Sequence, residues 1–432
     1  MPYDMNTMIY AIPHSQPPIH AMPTELLSEI FDLLSHLSPP PGPGIIPSQI
    51  TISHVCARWR RVITSISSQW TQLAITHTRH PDVLASFLTW SNTRPISVTI
   101  ILPVSGVELW PAPRISEFKK TFKHLRKHTS RMQALRIEST TPTLRIIQRL
   151  FLPTKPPTPL PTLSYLHLTQ TDSSAPLTAF GPLTLNPHTL TVLRLSGVSL
   201  LAPAPSLAGL RMLHLTNGPG SLLDQTQLTH PTYPLIPPGP AMPRLTHLHL
   251  YRTPPIPTGP PGVFTPSFDP ALLVSVTLAH IRTPLDDEQD ALIRLFELTG
   301  SSPHLRELTL IDFEPRAWAE YTHWLELGLS LTVPRFASVR TLQLVGIHPG
   351  MVGVVLLLAF PGVVRFVVVS GVDAGTGGAG GVGVVGVVEA MAGVMGILRD
   401  VRICPWLREV VCDGVVYSRP MVYVPAPPGA AA

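Results

Sequence analysis

The side chains best suited to bind a metal or attack a substrate are 18 histidines and three cysteines in 432 residues. The pairs His77/His80 and His124/His128 stand three and four residues apart, a spacing that puts two imidazoles on one side of a helical turn. Neither pair has a further ligand close by in sequence, so surface histidines are the simpler reading. Cys404 and Cys412 have no histidine neighbour that would create a thiolate. The chain contains no Gly-x-Ser-x-Gly elbow, no His-Glu-x-x-His and no paired cysteine motif. The tract Gly375-Thr376-Gly377-Gly378-Ala379-Gly380-Gly381 could cradle a phosphate only with a lysine at hand, and none is near; it reads as a flexible insertion. The expectation is a non-catalytic chain with no cofactor and no metal.

Charge narrows the choice further. Lys119, Lys120, Lys123, Arg126, Lys127 and Arg131 face a single acid, Glu117, over a stretch whose Phe118, Phe122, Leu125 and Met132 recur at helical spacing. The spacing predicts a helix over 115–132 with a solvated basic side and an apolar side in the core. Over the whole chain, 31 Lys and Arg against 26 Asp and Glu give only +5, too little to imply nucleic acid.

The elements before this helix carry the densest pattern. In Met22-Pro23-Thr24-Glu25-Leu26-Leu27-Ser28-Glu29-Ile30-Phe31-Asp32-Leu33-Leu34, apolar residues recur every three or four positions behind a proline placed near the first turn. After a loop containing Pro39-Pro40-Pro41-Gly42-Pro43-Gly44, a second helix is expected on Ile52, Val55, Cys56, Trp59, Val62, Ile63 and Ile66, with Arg58, Arg60 and Arg61 between them. A unit of this size buries little surface on its own, which leaves an apolar face for a partner.

This stretch resembles the F-box, in the form common in mushroom-type fungi. The family pattern is met by Pro23, Glu25, Leu26, Leu27, Ile30 and Phe31, then by Val55, Cys56, Trp59, Arg60 and Val62, and by Trp70. Met22 stands where a leucine is usual, and Gln69 precedes Trp70 where an apolar residue is usual. The resemblance implies that Pro23, Leu26, Leu27, Ile30, Phe31, Val55, Cys56 and Trp59 dock a Skp-type adaptor and through it a cullin. Which of them dock and which hold the helices together is left open. The order of strand 71–76, a helix from Pro81 ending near Arg94-Pro95, and strand 96–102 is also similar to the segment carboxyl-terminal to the F-box in those proteins.

From residue 132 the chain repeats itself. Met132-x-x-Leu135-x-Ile137 is followed by triplets beginning at Leu163, Leu190, Leu210, Leu245, Leu273, Leu305, Val339 and Val363, and by a weaker one at Leu407. Each predicts a short strand with alternate apolar residues on one side, which can be buried only by stacking on its neighbours. The starts lie 20 to 44 residues apart, wider than the usual period of leucine-rich repeats, and the closing Asn or Cys is mostly absent. The region therefore resembles the irregular leucine-rich-repeat-like part of many F-box proteins. It implies an α/β fold, a helical F-box followed by a solenoid with a parallel sheet, its repeats binding an unknown target protein. Connecting helices are expected at 286–299, 318–329 and 384–400, whereas thirteen prolines between Pro231 and Pro270 exclude one there. No recognition patch on the repeats is legible.

The resulting plan is a flexible leader 1–21, an F-box 22–70, a linking segment 71–131, a repeat region 132–424 with a Gly/Val-rich insertion 371–386, and a disordered tail 425–432. A 44% hydrophobic content supports a sizeable core, while 51 prolines, about twice ordinary usage, demand many stiff loops. Few cysteines, no secretory signal and no apolar run long enough to span a bilayer place the chain inside the cell, in cytoplasm or nucleus, away from membranes. The function implied is substrate recognition in a Skp–cullin–F-box ubiquitin ligase. The alternative is a repeat scaffold that binds proteins without any ligase.

Overall fold

The computed structural model describes residues 22–37, 47–76, 80–102, 110–151, 159–172, 178–180, 184–185, 188–200, 207–216, 242–251, 268–279, 302–311, 336–345, 362–369, 406–412 and 415–418. The leader, the tail, the Gly/Val-rich insertion and the connecting helices expected at 286–299, 318–329 and 384–400 lie outside the described residues.

The chain is α/β, with six α-helices among the described residues. Three of them, α1 (Thr24–Leu37), α2 (Ser48–Val55) and α3 (Ala57–Ser65), precede the first strand. The second expected helix is thus two. The break falls at Cys56, whose backbone is extended at φ −158° and ψ 168°. Apolar spacing runs on through this point, which is why periodicity alone conceals it. Helices α4 (Pro81–Trp90), α5 (Ala112–Arg126) and α6 (Thr141–Phe151) alternate with the first strands. Helix α5 starts three residues earlier than expected and stops short of Met132, because 129–131 tighten into a 3-10 turn and Met132 opens a strand.

The main sheet holds thirteen strands. They are β1 (Gln72–Thr76), β2 (Ile96–Ile101), β3 (Met132–Ser139), β4 (Tyr165–Gln170), β5 (Val192–Ser196), β6 (Met212–Thr216), β7 (His247–Tyr251), β8 (Ser275–Ala279), β9 (Glu307–Ile311), β10 (Thr341–Val345), β11 (Arg365–Val369), β12 (Glu409–Cys412) and β13 (Val415–Ser418). They lie side by side in chain order. All neighbours pair in parallel except the last, where β13 turns back antiparallel on β12. The second and third members of every leucine triplet therefore lie on a strand, in register with the next.

The register explains the triplets. Leu135, Leu166, Leu193, Leu213, Leu248, Val276, Leu308, Leu342, Phe366 and Val410 form one ladder across the sheet. Ile137, Leu168, Leu195, Leu215, Leu250, Leu278, Leu310 and Leu344 form a second, and Leu73, Val98, Ile75 and Ile100 extend both to the first strand. These side chains are buried, as are the first members Leu163, Leu190, Leu210, Leu245, Leu273, Leu305, Val339 and Val363. Each such side chain withdrawn from water contributes about 1.5–3 kcal/mol.

The backbone repeats as regularly as the leucines. The carbonyl of Ser164 accepts from the N–H groups of Thr191 and Val192, and that of Thr191 accepts from Arg211 and Met212. The same double acceptance recurs at Arg211, Thr246, Val274, Arg306, Arg340 and Val364, down to Glu409. Ahead of four strands a turn closes from Leu163 to Leu160, Leu210 to Leu207, Leu245 to Met242 and Val339 to Phe336, burying an apolar residue at each corner. At Gly362 the chain passes so close to 337 that a Cβ would sit 2.1 Å from the Ala337 carbonyl oxygen, so only glycine fits.

Candidate partner-binding surfaces

Helix α1 is apolar on two sides, and they have different fates. Leu27 and Phe31 are fully buried, while Leu26 (47%), Ile30 (38%), Leu33 (60%) and Leu37 (74%) stay exposed. These four lie at i, i+4, i+7 and i+11, one stripe along the helix, and Leu34 beside them is exposed as well. Val55, at the end of α2, is exposed as well.

The other residues expected to dock have structural work. Trp59 is half-buried with its ring edge-on to Phe31, centroids 5.2 Å apart. Cys56 does not lie on a helix face: it is the N-cap of α3, its Sγ accepting the Trp59 N–H at 3.4 Å. That bond gives the Cys-x-x-Trp spacing a local cause, since an N-cap side chain reaches the N–H three residues on. Pro23 precedes the helix by one residue, exposed, its carbonyl accepting from Leu27 N–H. Arg58 donates to the Met22 carbonyl, which ties the start of α1 to α3. Gln69 is buried and its amide donates to Asp32 Oδ1, so the polar residue found where an apolar one is usual joins α1 to the segment before β1. Of the eight residues, then, Leu27, Phe31, Trp59 and Cys56 hold the unit together. Pro23, Leu26, Ile30 and Val55 face outward.

The basic side of α5 carries Lys119, Lys120, Lys123, Arg126 and Lys127, all exposed. Arg131 does not belong with them. Its guanidinium donates to the carbonyls of Leu88 at 2.8 Å, Arg94 at 3.1 Å and Asn92, closing the end of α4. His80 caps the start of α4, its Nδ1 accepting from Asp82 N–H. His128 is held below the ordinary imidazole pKa, by burial first and then by Arg131, Lys127 and His124. His77 lies outside the described residues, among which no group of three metal-ligating side chains occurs. No helix among them is long and apolar enough to cross a membrane.

A third surface emerges only from the register. Between the two buried ladders, on the opposite side of the sheet, Arg136, His167, Arg194, His214 and His249 align on five adjacent strands. The His214 and His249 rings stack at 3.8 Å, and Arg194 lies over the Tyr165 ring at 6.0 Å. His167 Nε2 meets Thr169 Oγ1, and His214 Nε2 meets Thr216 Oγ1, each at 2.9 Å. Burial pushes His167 down to about 4, with Arg136 adding to the shift. His214 is also pushed down to about 4, by burial and then by His249. His249 is lowered by burial and by Arg194. These imidazoles are neutral at pH 7. The signal was present in Leu166-His167-Leu168, Leu193-Arg194-Leu195, Leu213-His214-Leu215 and Leu248-His249-Leu250, where the residue between the leucines is the outward one.

No protein-family model and no curated protein matches the chain.

Proposed function

We propose that this chain is the substrate-recognition subunit of a Skp–cullin–F-box ubiquitin ligase, with residues 22–70 acting as an F-box and residues 132–424 as an irregular leucine-rich-repeat-like solenoid that holds the target. The observation that carries the reading is the exposed stripe Leu26, Ile30, Leu33 and Leu37 on a helix that buries Leu27 and Phe31 completely on another side. Leaving these four side chains, and Leu34 beside them, in water is costly unless a partner covers them. The order of motif residues from Pro23 to Trp70 supports a Skp-type adaptor as that partner, with the cullin recruited through it. On this reading catalysis is proximity: the chain raises the effective concentration of a target lysine beside a ubiquitin-loaded enzyme and contributes no acid, base or nucleophile.

The test is co-expression of the full-length chain with a Skp-type adaptor from a fungal host, followed by gel filtration. A stable one-to-one complex is expected, and Ile30→Asp with Leu33→Asp abolishes it while circular dichroism stays unchanged. Both positions are exposed, so the substitutions spare the core. Unchanged capture by the double variant sinks the proposal. A second reading rests on Trp70, whose ring packs at 4.8 Å on Phe87 and 4.5 Å on Trp90, joining the first helices to α4. Residues 22–70 then serve only as a cap on a protein-binding scaffold, and wild-type protein ignores the adaptor.

A further inference from the structure

Three arginines lie on the described strands, and two have an acid beside them. Arg136 pairs with Glu138, and Arg365 Nε lies 3.4 Å from Glu409 Oε2. Arg194 forms no ion pair among the described residues. Its Nε is buried without a hydrogen-bond partner, and its Nη2 finds only the Met212 sulfur, at 4.0 Å. A guanidinium held half out of water with an unmade donor bond is poorly solvated, and a carboxylate meets its fork with two parallel, charge-assisted bonds.

The surroundings narrow the ligand. Tyr165 and Met212 flank Arg194 in the neighbouring column, and His167 and His214 stand beside it in its own. Aromatic, methionine and arginine side chains are those enriched where proteins bind proteins. With the imidazoles neutral and Arg136 offset by Glu138, Arg194 is the one cation without an ion pair in this row of described residues. Polyanions are bound through many phosphate contacts, each adding to the salt dependence, so one cation suits a single carboxylate rather than a nucleic acid. A phosphate dianion would call for further donors of like charge.

We propose that the outer face of β4–β7 is the docking surface for an acidic peptide segment of a partner protein, one carboxylate of which pairs with Arg194 while the rest of the segment lies over Tyr165, Met212, His214 and His249. The inference deepens the target-binding half of the proposed function and rests on it.

The experiment uses full-length protein on an array of ten-residue peptides with randomised flanks, each made with Asp or Glu, with the matching amide, and with phosphoserine at the same position. Bound sequences require the carboxylate, and the amide weakens them at least tenfold when affinities are measured by fluorescence anisotropy. Arg194→Gln loses the same factor and shows no further loss with the amide peptide. Met212→Glu supplies an internal acid beside the guanidinium and abolishes binding. Carboxylate-independent binding, equal binding by Arg194→Gln, binders that require phosphoserine, or an array with no binders would each overturn the assignment. Adaptor capture by the same preparations separates the two proposals. Acidic-peptide binding without adaptor capture leaves this surface standing and removes the ligase, and the converse removes only this surface.

Discussion

Two polar side chains tie separate segments together, Arg131 at the end of α4 and Gln69 at α1. Arg131, in the turn before β3, reaches three carbonyls at and beyond the end of α4, of which that of Leu88 also accepts from Ser91 Oγ. Arg131→Ala removes three charge-assisted bonds and is expected to cost about 1.5–3 kcal/mol, the worth of a bond to a charged donor, because Ser91 and water still reach the carbonyls. Urea titration of the variant checks it; a loss below about 0.5 kcal/mol, the ordinary size of a surface substitution, would show the guanidinium to be dispensable. Gln69 points the other way. Its amide donates to Asp32, but its Oε1 is buried without a partner. Asp32 is exposed and can be hydrated instead. Gln69→Leu is therefore expected to leave the thermal midpoint unchanged or raise it, and a clear fall would mean the bond to Asp32 outweighs the buried oxygen. Neither role could be read from sequence: Arg131 counted as one more basic residue of a helical face, and Gln69 only as a departure from a pattern.

At the scale of elements, legibility tracked the number of competing sides. A strand of the repeat has one apolar side, so alternating leucines gave both its place and its orientation. Helix α1 has two apolar sides, and spacing could not say that Leu27 and Phe31 turn inward while Leu26 and Ile30 turn out. The residues between the leucines have no period at all, which hid the histidine column until register aligned it. That column makes stability depend on pH. His167 and His214 are held near 4 in the folded protein, against about 6.5 in the unfolded chain. Between those values the unfolded chain binds more protons, so stability is complete above about pH 6.5 and falls as pH drops toward 4. Thermal unfolding monitored from pH 7 to 4.5 is expected to show this fall, and His167→Gln with His214→Gln to flatten it. An equally steep fall in the double variant would place the responsible groups elsewhere. Within one ladder, Leu193→Ala removes a fully buried side chain and is expected to cost about 2–5 kcal/mol.

Over the whole molecule, the order of strands sets how a local loss spreads. Each strand of the main sheet pairs only with the strands next to it in that sheet's chain order, and the buried ladders run from Leu73 to Val410 without any of these strands returning to an earlier one. Stability in such an array is close to a sum of units and their interfaces, so a defect is felt nearby before it is felt far away. The two ends differ. The first strands are covered by helices α4 to α6 and by the aromatic contacts of Trp70, whereas β12 ends the parallel series against a single antiparallel strand. Leu342→Ala in β10 is accordingly expected to raise amide exchange in β9 to β12 by one to two orders of magnitude while leaving β1 to β4 protected, read by mass spectrometry of peptic fragments under native conditions. If protection instead falls equally across all strands, the sheet opens as one cooperative body. The acidic-peptide surface on β4 to β7 would then be lost with a lesion at the far end, rather than surviving it as a locally stabilised set of strands does.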